Sequence, residues 1–172
     1  MGMKNLWAIE WYNAGSNTSG FMESMHAADD LLRVGEKVFP IAGDDSHDYG
    51  LIGCCFTMVK AEALNYEAVM SALEKADFYS STGPELYEFY LEDGVLHISC
   101  SGVCKIFVTT ERRVSFVEVS SEALVTEAEF DLKKYIRDSN LSDKHYNAAY
   151  IRVTCLTRPT QIILDIYIAL VV

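Results

Sequence analysis

The feature that most constrains this chain is a change of hydrophobic period at Ser81-Thr82-Gly83-Pro84. Before it, apolar residues recur at helical spacing or in short unbroken runs; after it, they mostly alternate with polar residues to the end of the chain. A helix buries a stripe and a strand buries a face, so a boundary is expected there, separating residues 1–84 from residues 85–172. A chain of 172 residues with 50% hydrophobic content can bury one good core, or one core and a small satellite domain.

In the first part, Leu6 to Tyr12 is an apolar, aromatic run closed by Asn13-Ala14-Gly15-Ser16, the pattern of a buried strand running into a loop. Met22, Met25, Ala28, Leu31, Leu32 and Val34 then recur at helical spacing, and Gly35 stands where a helix end favours positive φ. Lys37 to Ala42 is a second short buried strand. Strand, helix and strand at this spacing make a βαβ unit, which predicts a parallel sheet. Cys54 to Val59 reads as a third strand. Asn65 to Asp77 reads as a second helix, with Asn65 as N-cap, Leu64 facing Val69 as a hydrophobic staple, and Tyr66, Val69, Leu73 and Ala76 as the buried stripe.

The second part predicts an antiparallel β-module. Leu86–Leu91 and Val95–Cys100 flank Glu92-Asp93-Gly94, and Asp-Gly supplies the positive φ values of a tight hairpin. Lys105–Thr110 and Val114–Val119 form a second hairpin. Ala128, Phe130 and Leu132 alternate with acidic residues, and Ile151, Val153 and Cys155 alternate with Tyr150, Arg152 and Thr154, so both segments are expected as half-buried strands. Lys133 to Asn147 lacks steady periodicity and reads as a loop.

The net charge of −11 argues against a nucleic-acid backbone as ligand, since that binding needs clustered Lys and Arg. The apolar run Ile162 to Val172 is interrupted by Asp165 and too short to cross a bilayer, so no membrane association is expected. With no secretory pattern, and an odd count of cysteines at 54, 55, 100, 104 and 155, free thiols and a cytoplasmic location are expected.

Chemistry is expected at Gly43-Asp44-Asp45-Ser46-His47, where the chain leaves the carboxyl end of a buried strand, the edge at which parallel α/β folds gather ligands. Asp45 and His47 offer a carboxylate and an imidazole two residues apart, both good ligands for zinc, manganese or iron. An Asx-turn beside a surface histidine explains the same residues without a metal. No nucleophilic triad and no phosphate-binding P-loop are evident.

AIEWYN at 8–13, GDDSH at 43–47, TMVKAEAL at 57–64 and the run from Ala72 to Phe89 containing ADFYSSTGPELYEF resemble, in order and spacing, the last third of the polymerase-and-histidinol-phosphatase (PHP) family. Phe130 and Tyr150-Ile151-Arg152-Val153 resemble the small β-extension of many bacterial members. The resemblance implies an α/β fold, the C-terminal part of a distorted (βα) barrel followed by a small antiparallel, sandwich-like β-module. It also implies metal-dependent hydrolysis of a phosphate ester by metal-activated water, with a small phosphorylated substrate, divalent zinc, manganese or iron, Asp45 and His47 as metal ligands, and Asp44 as loop or supporting residue.

The sequence departs from the family pattern in lacking its paired histidines near the start, its acidic ligand and its further single histidines. His26, His97 and His145 fall away from the expected βα-loops. The chain thus reads as a truncated form, with a missing N-terminal half or self-association completing it, and Thr157-Arg158-Pro159 followed by IILDIYIALVV departs from the family's ending. The alternative is a non-catalytic module whose β-part binds a partner or carbohydrate and whose Asp45-His47 pair is a vestige.

Overall fold

A computed structural model of the chain describes residues 5–18, 25–110, 115–119, 123–132, 150–157 and 165–171. The expected loop at Lys133–Asn147 lies outside them, as do His145 and the side chain of His26. The chain divides into two compact units: Met1–Gly83 with Tyr167–Ala169, and Pro84–Ile166 with Leu170–Val172.

In the first unit, β1 (Ala8–Asn13) leads through α1 (Ala14–Thr18) and α2 (Met25–Arg33) to β2 (Phe39–Gly43), which lies parallel to β1 from Ala8↔Phe39 to Asn13↔Gly43. The βαβ pattern therefore folds as its spacing demands. α2 buries Ala28 and Leu32 and stops at Gly35, whose φ of +87° lets Gly35 and Glu36 donate back to the carbonyls of Leu32 and Leu31. Trp7, Phe39 and Phe78 cluster with ring centroids 5.6–6.2 Å apart, and Trp11 and Val38 are fully buried. Burying aromatic rings of this size is the main apolar gain open to so small a unit.

The barrel expectation fails at the next strand. β3 (Phe56–Val59) pairs with β4 (Phe78–Ser81) antiparallel, Phe56↔Ser81 to Val59↔Phe78, with α3 (Tyr66–Glu74) between them. A βα-barrel needs each helix to carry the chain back across the sheet so that the next strand starts at the same end as the last. Here the excursion from Lys60 to Asp77 closes on itself: the Lys60 amide donates to the Asp77 carbonyl at 2.8 Å, and the Asp77 amide to the Ala72 carbonyl at 2.9 Å. The chain re-enters the sheet where it left and must run backwards. Strands dominate the described residues, in small sheets, and the chain is not part of a (βα) barrel.

α3 keeps part of its expected stripe, Val69 and Leu73 being half-buried beside Ala72, while Tyr66 turns out to solvent. Asn65 caps it, its side chain accepting from the Ala68 amide at 2.8 Å. Leu64 and Tyr66 are exposed, so no staple forms, and Ala72 is the buried residue of the helix. β4 was not anticipated from sequence, because Phe78-Tyr-Ser-Ser ends in hydroxyls; both serines are buried, and Ser80 Oγ donates to the Pro40 carbonyl at 2.7 Å.

The second unit contains β5 (Leu86–Glu92), β6 (Val95–Val103), β7 (Lys105–Thr110), β8 (Ser115–Val119), β9 (Val125–Asp131) and β10 (Tyr150–Leu156); β11 (Asp165–Val171) is the last strand of the chain. β5, β6 and β9 form an antiparallel sheet with β6 central. β7 pairs antiparallel with both β8 and β10. Asp93 (φ +49°) and Gly94 (φ +82°) close the β5–β6 hairpin in the left-handed region that Asp-Gly favours. Leu96, Ile98, Ala128 and Phe130 point to the core from one sheet, Ile106 and Val108 from the other. β10 departs from its expected half-burial: Tyr150 to Cys155 are all buried. A strand covered on both faces can hold polar residues only if they find partners, and Arg152 Nη1 donates to Thr154 Oγ1 at 2.9 Å.

No helix among the described residues is long and apolar enough to cross a membrane.

Candidate functional site

Two places gather polar chemistry. The first is the loop leaving β2. Asp44 organises it: one carboxylate oxygen accepts from the Gly53 amide at 2.6 Å, the other from the Cys55 amide at 2.7 Å, and its carbonyl accepts from the Gly15 amide at 2.9 Å. A carboxylate holding two backbone N–H groups stitches the loop shut with charge-assisted bonds. Asp48 repeats the device locally, capping the single 3-10 turn Tyr49–Leu51 by accepting from the Gly50 amide at 2.7 Å. The approach of the Gly15 segment is close, since a Cβ there would stand 2.7 Å from the Asp45 carbonyl oxygen.

Asp45 takes φ +47°, an αL position that Asp tolerates better than most residues. His47 lies with Nδ1 2.8 Å from the Asp45 carbonyl oxygen and 3.8 Å from the Asp45 carboxylate. A carbonyl oxygen can only accept, so Nδ1 carries the proton and Nε2 is the nitrogen open to a ligand. Both side chains are well exposed. The two expected ligands thus stand beside each other in the loop, and Asp44 is engaged with backbone amides. No group of three or more His, Cys, Asp or Glu among the described residues is placed to share a cation.

Cys55, beside this loop, donates from Sγ to the Gly43 carbonyl at 2.9 Å. Burial pushes its thiol up to about 11, and the nearby Asp44 carboxylate acts in the same direction. It is a structural thiol, uncharged at neutral pH.

The second place is the outer face of β5–β6–β9. Register brings Glu88, Ser99 and Glu127 into one cross-strand row, Tyr90, His97 and Glu129 into the next, and Glu92, Val95 and Asp131 into a third. Their neighbours Leu96, Ile98, Ala128 and Phe130 point the other way, into the core. The Tyr90 and His97 rings stack at 4.7 Å with 12° between planes, and His97 Nδ1 is 3.1 Å from a Glu129 carboxylate oxygen. Glu88, Tyr90, His97, Ser99, Glu127 and Glu129 line an open depression of about 330 Å³. Its lining contains no Lys or Arg among the described residues.

Sequence reasoning passed over this face and treated His97 as an ordinary residue. The signal was present: Glu88, Tyr90 and Glu92 alternate, as do Val95, His97 and Ser99 and Glu127, Glu129 and Asp131. Only the register of three strands shows that Tyr90, His97 and Glu129 are level.

Family models, curated proteins and solved structures give no match to this chain.

Proposed function

We propose that the chain works by non-covalent binding through its second unit, and that the depression on β5–β6–β9 takes the ammonium or guanidinium groups of a basic peptide segment. The observation that carries this is the stacked Tyr90–His97 pair set among Glu88, Glu127 and Glu129. An aromatic face attracts a cation that lies over it, and carboxylates at its rim add Coulomb attraction and accept the N–H groups. The low pI of 4.7 favours encounter with basic partners. The site is shallow and solvated, so binding is expected to be weak, salt-sensitive and reversible. The test is titration of the protein with an arginine-rich peptide at low and high salt. Binding that salt weakens, and that Glu127→Gln/Glu129→Gln and Tyr90→Ala each reduce, supports the reading; equal binding by these variants overturns it.

Metal-dependent phosphoesterase activity is a second reading, favoured by one observation: Asp45 and His47 follow β2 where it ends beside β1, with Nε2 of His47 open to a ligand. Hydrolysis of a chromogenic phosphate ester with added zinc or manganese, abolished by Asp45→Ala/His47→Ala, is the result that would support it. A cytoplasmic location is compatible with either reading.

A further inference from the structure

Resting on the reading of the β5–β6–β9 face as a site for cationic side chains, we propose that His97 is a built-in competitor for that site: once protonated it is itself the cation held by Tyr90 and Glu129, and a basic peptide is turned away. Its ring lies stacked on Tyr90 at 4.7 Å with 12° between planes, and its Nδ1 is 3.1 Å from a Glu129 carboxylate oxygen. The His97 side chain is 23% exposed and so is held against the sheet, whereas that of Glu129 is 72% exposed and open to a second donor.

A carboxylate can only accept, so Nδ1 donates to Glu129 and an added proton falls on Nε2. The hydrogen bond is therefore present in both states of the ring, and what changes is charge. With His97 neutral, the Glu129 carboxylate and its neighbours keep their whole negative charge for a ligand. With His97 protonated, an imidazolium lies on the Tyr90 ring and pairs with Glu129, the same two interactions an arginine or lysine head group would make there. The other groups on the face do not reverse this. Glu88 of β5 and Glu127 of β9 stand level with Ser99, and Glu92 and Asp131 flank the row on the other side. Among the described lining residues there is no Lys or Arg, so His97 alone can bring positive charge.

A cationic ligand prefers the neutral ring, so it binds at and above neutral pH and is lost as pH falls through the range in which histidine takes up its proton. Reciprocally, bound peptide makes the ring harder to protonate. A single competing proton weakens binding by at most about tenfold for each pH unit. Carboxylates ordinarily keep their charge to about two pH units below the histidine range, so the two effects separate on titration. The face thus holds a basic segment near neutrality and releases it in a mildly acidic setting.

The test is the affinity of the full chain for an arginine-rich peptide at about pH 8 and about pH 5.5, with histidine ring resonances followed by NMR across that range with and without peptide. The expected result is binding about tenfold weaker at the lower pH, a dependence lost in His97→Phe and His97→Asn whatever their affinity. At saturating peptide, the resonance that His97→Asn removes is expected to titrate with a lower midpoint. Equal affinity at both pH values, an unmoved midpoint, or the same acid weakening in His97→Phe overturns the inference and leaves the cation site standing. No binding at any pH or salt concentration ends the reading of the site, and the inference with it.

Discussion

The loop after β2 and the outer face of β5–β6–β9 are both polar and exposed, yet they are built by opposite means. Asp44, Asp45, Ser46 and His47 are neighbours in the chain, and their proximity is spent on holding a turn: Asp44 on amides, Ser46 Oγ on the Asp48 carbonyl at 2.6 Å, His47 on the Asp45 carbonyl. Glu88, Tyr90, His97 and Glu129 come from three strands, and the backbone ladder already satisfies their main-chain groups, leaving the side chains available for a ligand. Adjacent residues in a loop tend to serve the loop; residues converging from a sheet can serve something else.

That comparison can be broken in several ways, the largest effect first. Leu96→Ala, on the core side of β6, is expected to cost about 3 kcal/mol of stability, whereas Tyr90→Ala on the outer side of β5 costs under about 1 kcal/mol and acts on binding. Equal losses in chemical denaturation would mean that the outer face is packed and not a binding surface.

Asp44→Ala leaves the Gly53 and Cys55 amides without their carboxylate and is expected to cost about 2 kcal/mol, against under about 0.5 kcal/mol for Asp45→Ala. If Asp45→Ala proves the costlier in urea unfolding, the assignment of Asp44 as loop organiser is wrong.

Cys55 gives a pH signature. Its thiol pKa is raised in the fold, so its contribution to stability is complete below pH 9, the ordinary thiol value, and is lost as pH climbs from there through about 11. The stability difference between the native chain and Cys55→Ala should shrink over that window, and Cys54 should react with iodoacetamide at neutral pH well before Cys55. The smallest expected effect is that of Asp45→Ala/His47→Ala on zinc content by elemental mass spectrometry, since among the described residues no third His, Cys, Asp or Glu joins the two to hold a cation.

Local features were legible in sequence because they depend on few residues. The β5–β6 hairpin follows from Asp93-Gly94, the start of α3 from Asn65 and the end of α2 from Gly35, each a matter of backbone dihedrals or one capping bond. The resemblance of AIEWYN, GDDSH and TMVKAEAL to the PHP pattern led to a barrel that the fold does not form, because those strings report which segments are strands and loops and are silent on strand direction. Nothing in Phe78-Tyr-Ser-Ser announces that β4 runs against β3; the hydrogen bond from Lys60 to Asp77 decides it. Likewise Asp45 and His47 satisfy a spacing rule, while their relative orientation hangs on the left-handed backbone at Asp45.

By itself the sequence determined the change from helix-bearing to strand-bearing chain near Ser81–Pro84, the βαβ unit, the hairpin turn and the inward-facing Ala128 and Phe130 of β9, because period and turn chemistry act within a few residues of each other. Tertiary structure alone decided the antiparallel return of β4, the burial of β10 on both faces and the levelling of Tyr90, His97 and Glu129. Each of those needs a register between segments distant in the chain, and register is set by the packing of the whole core rather than by any one segment.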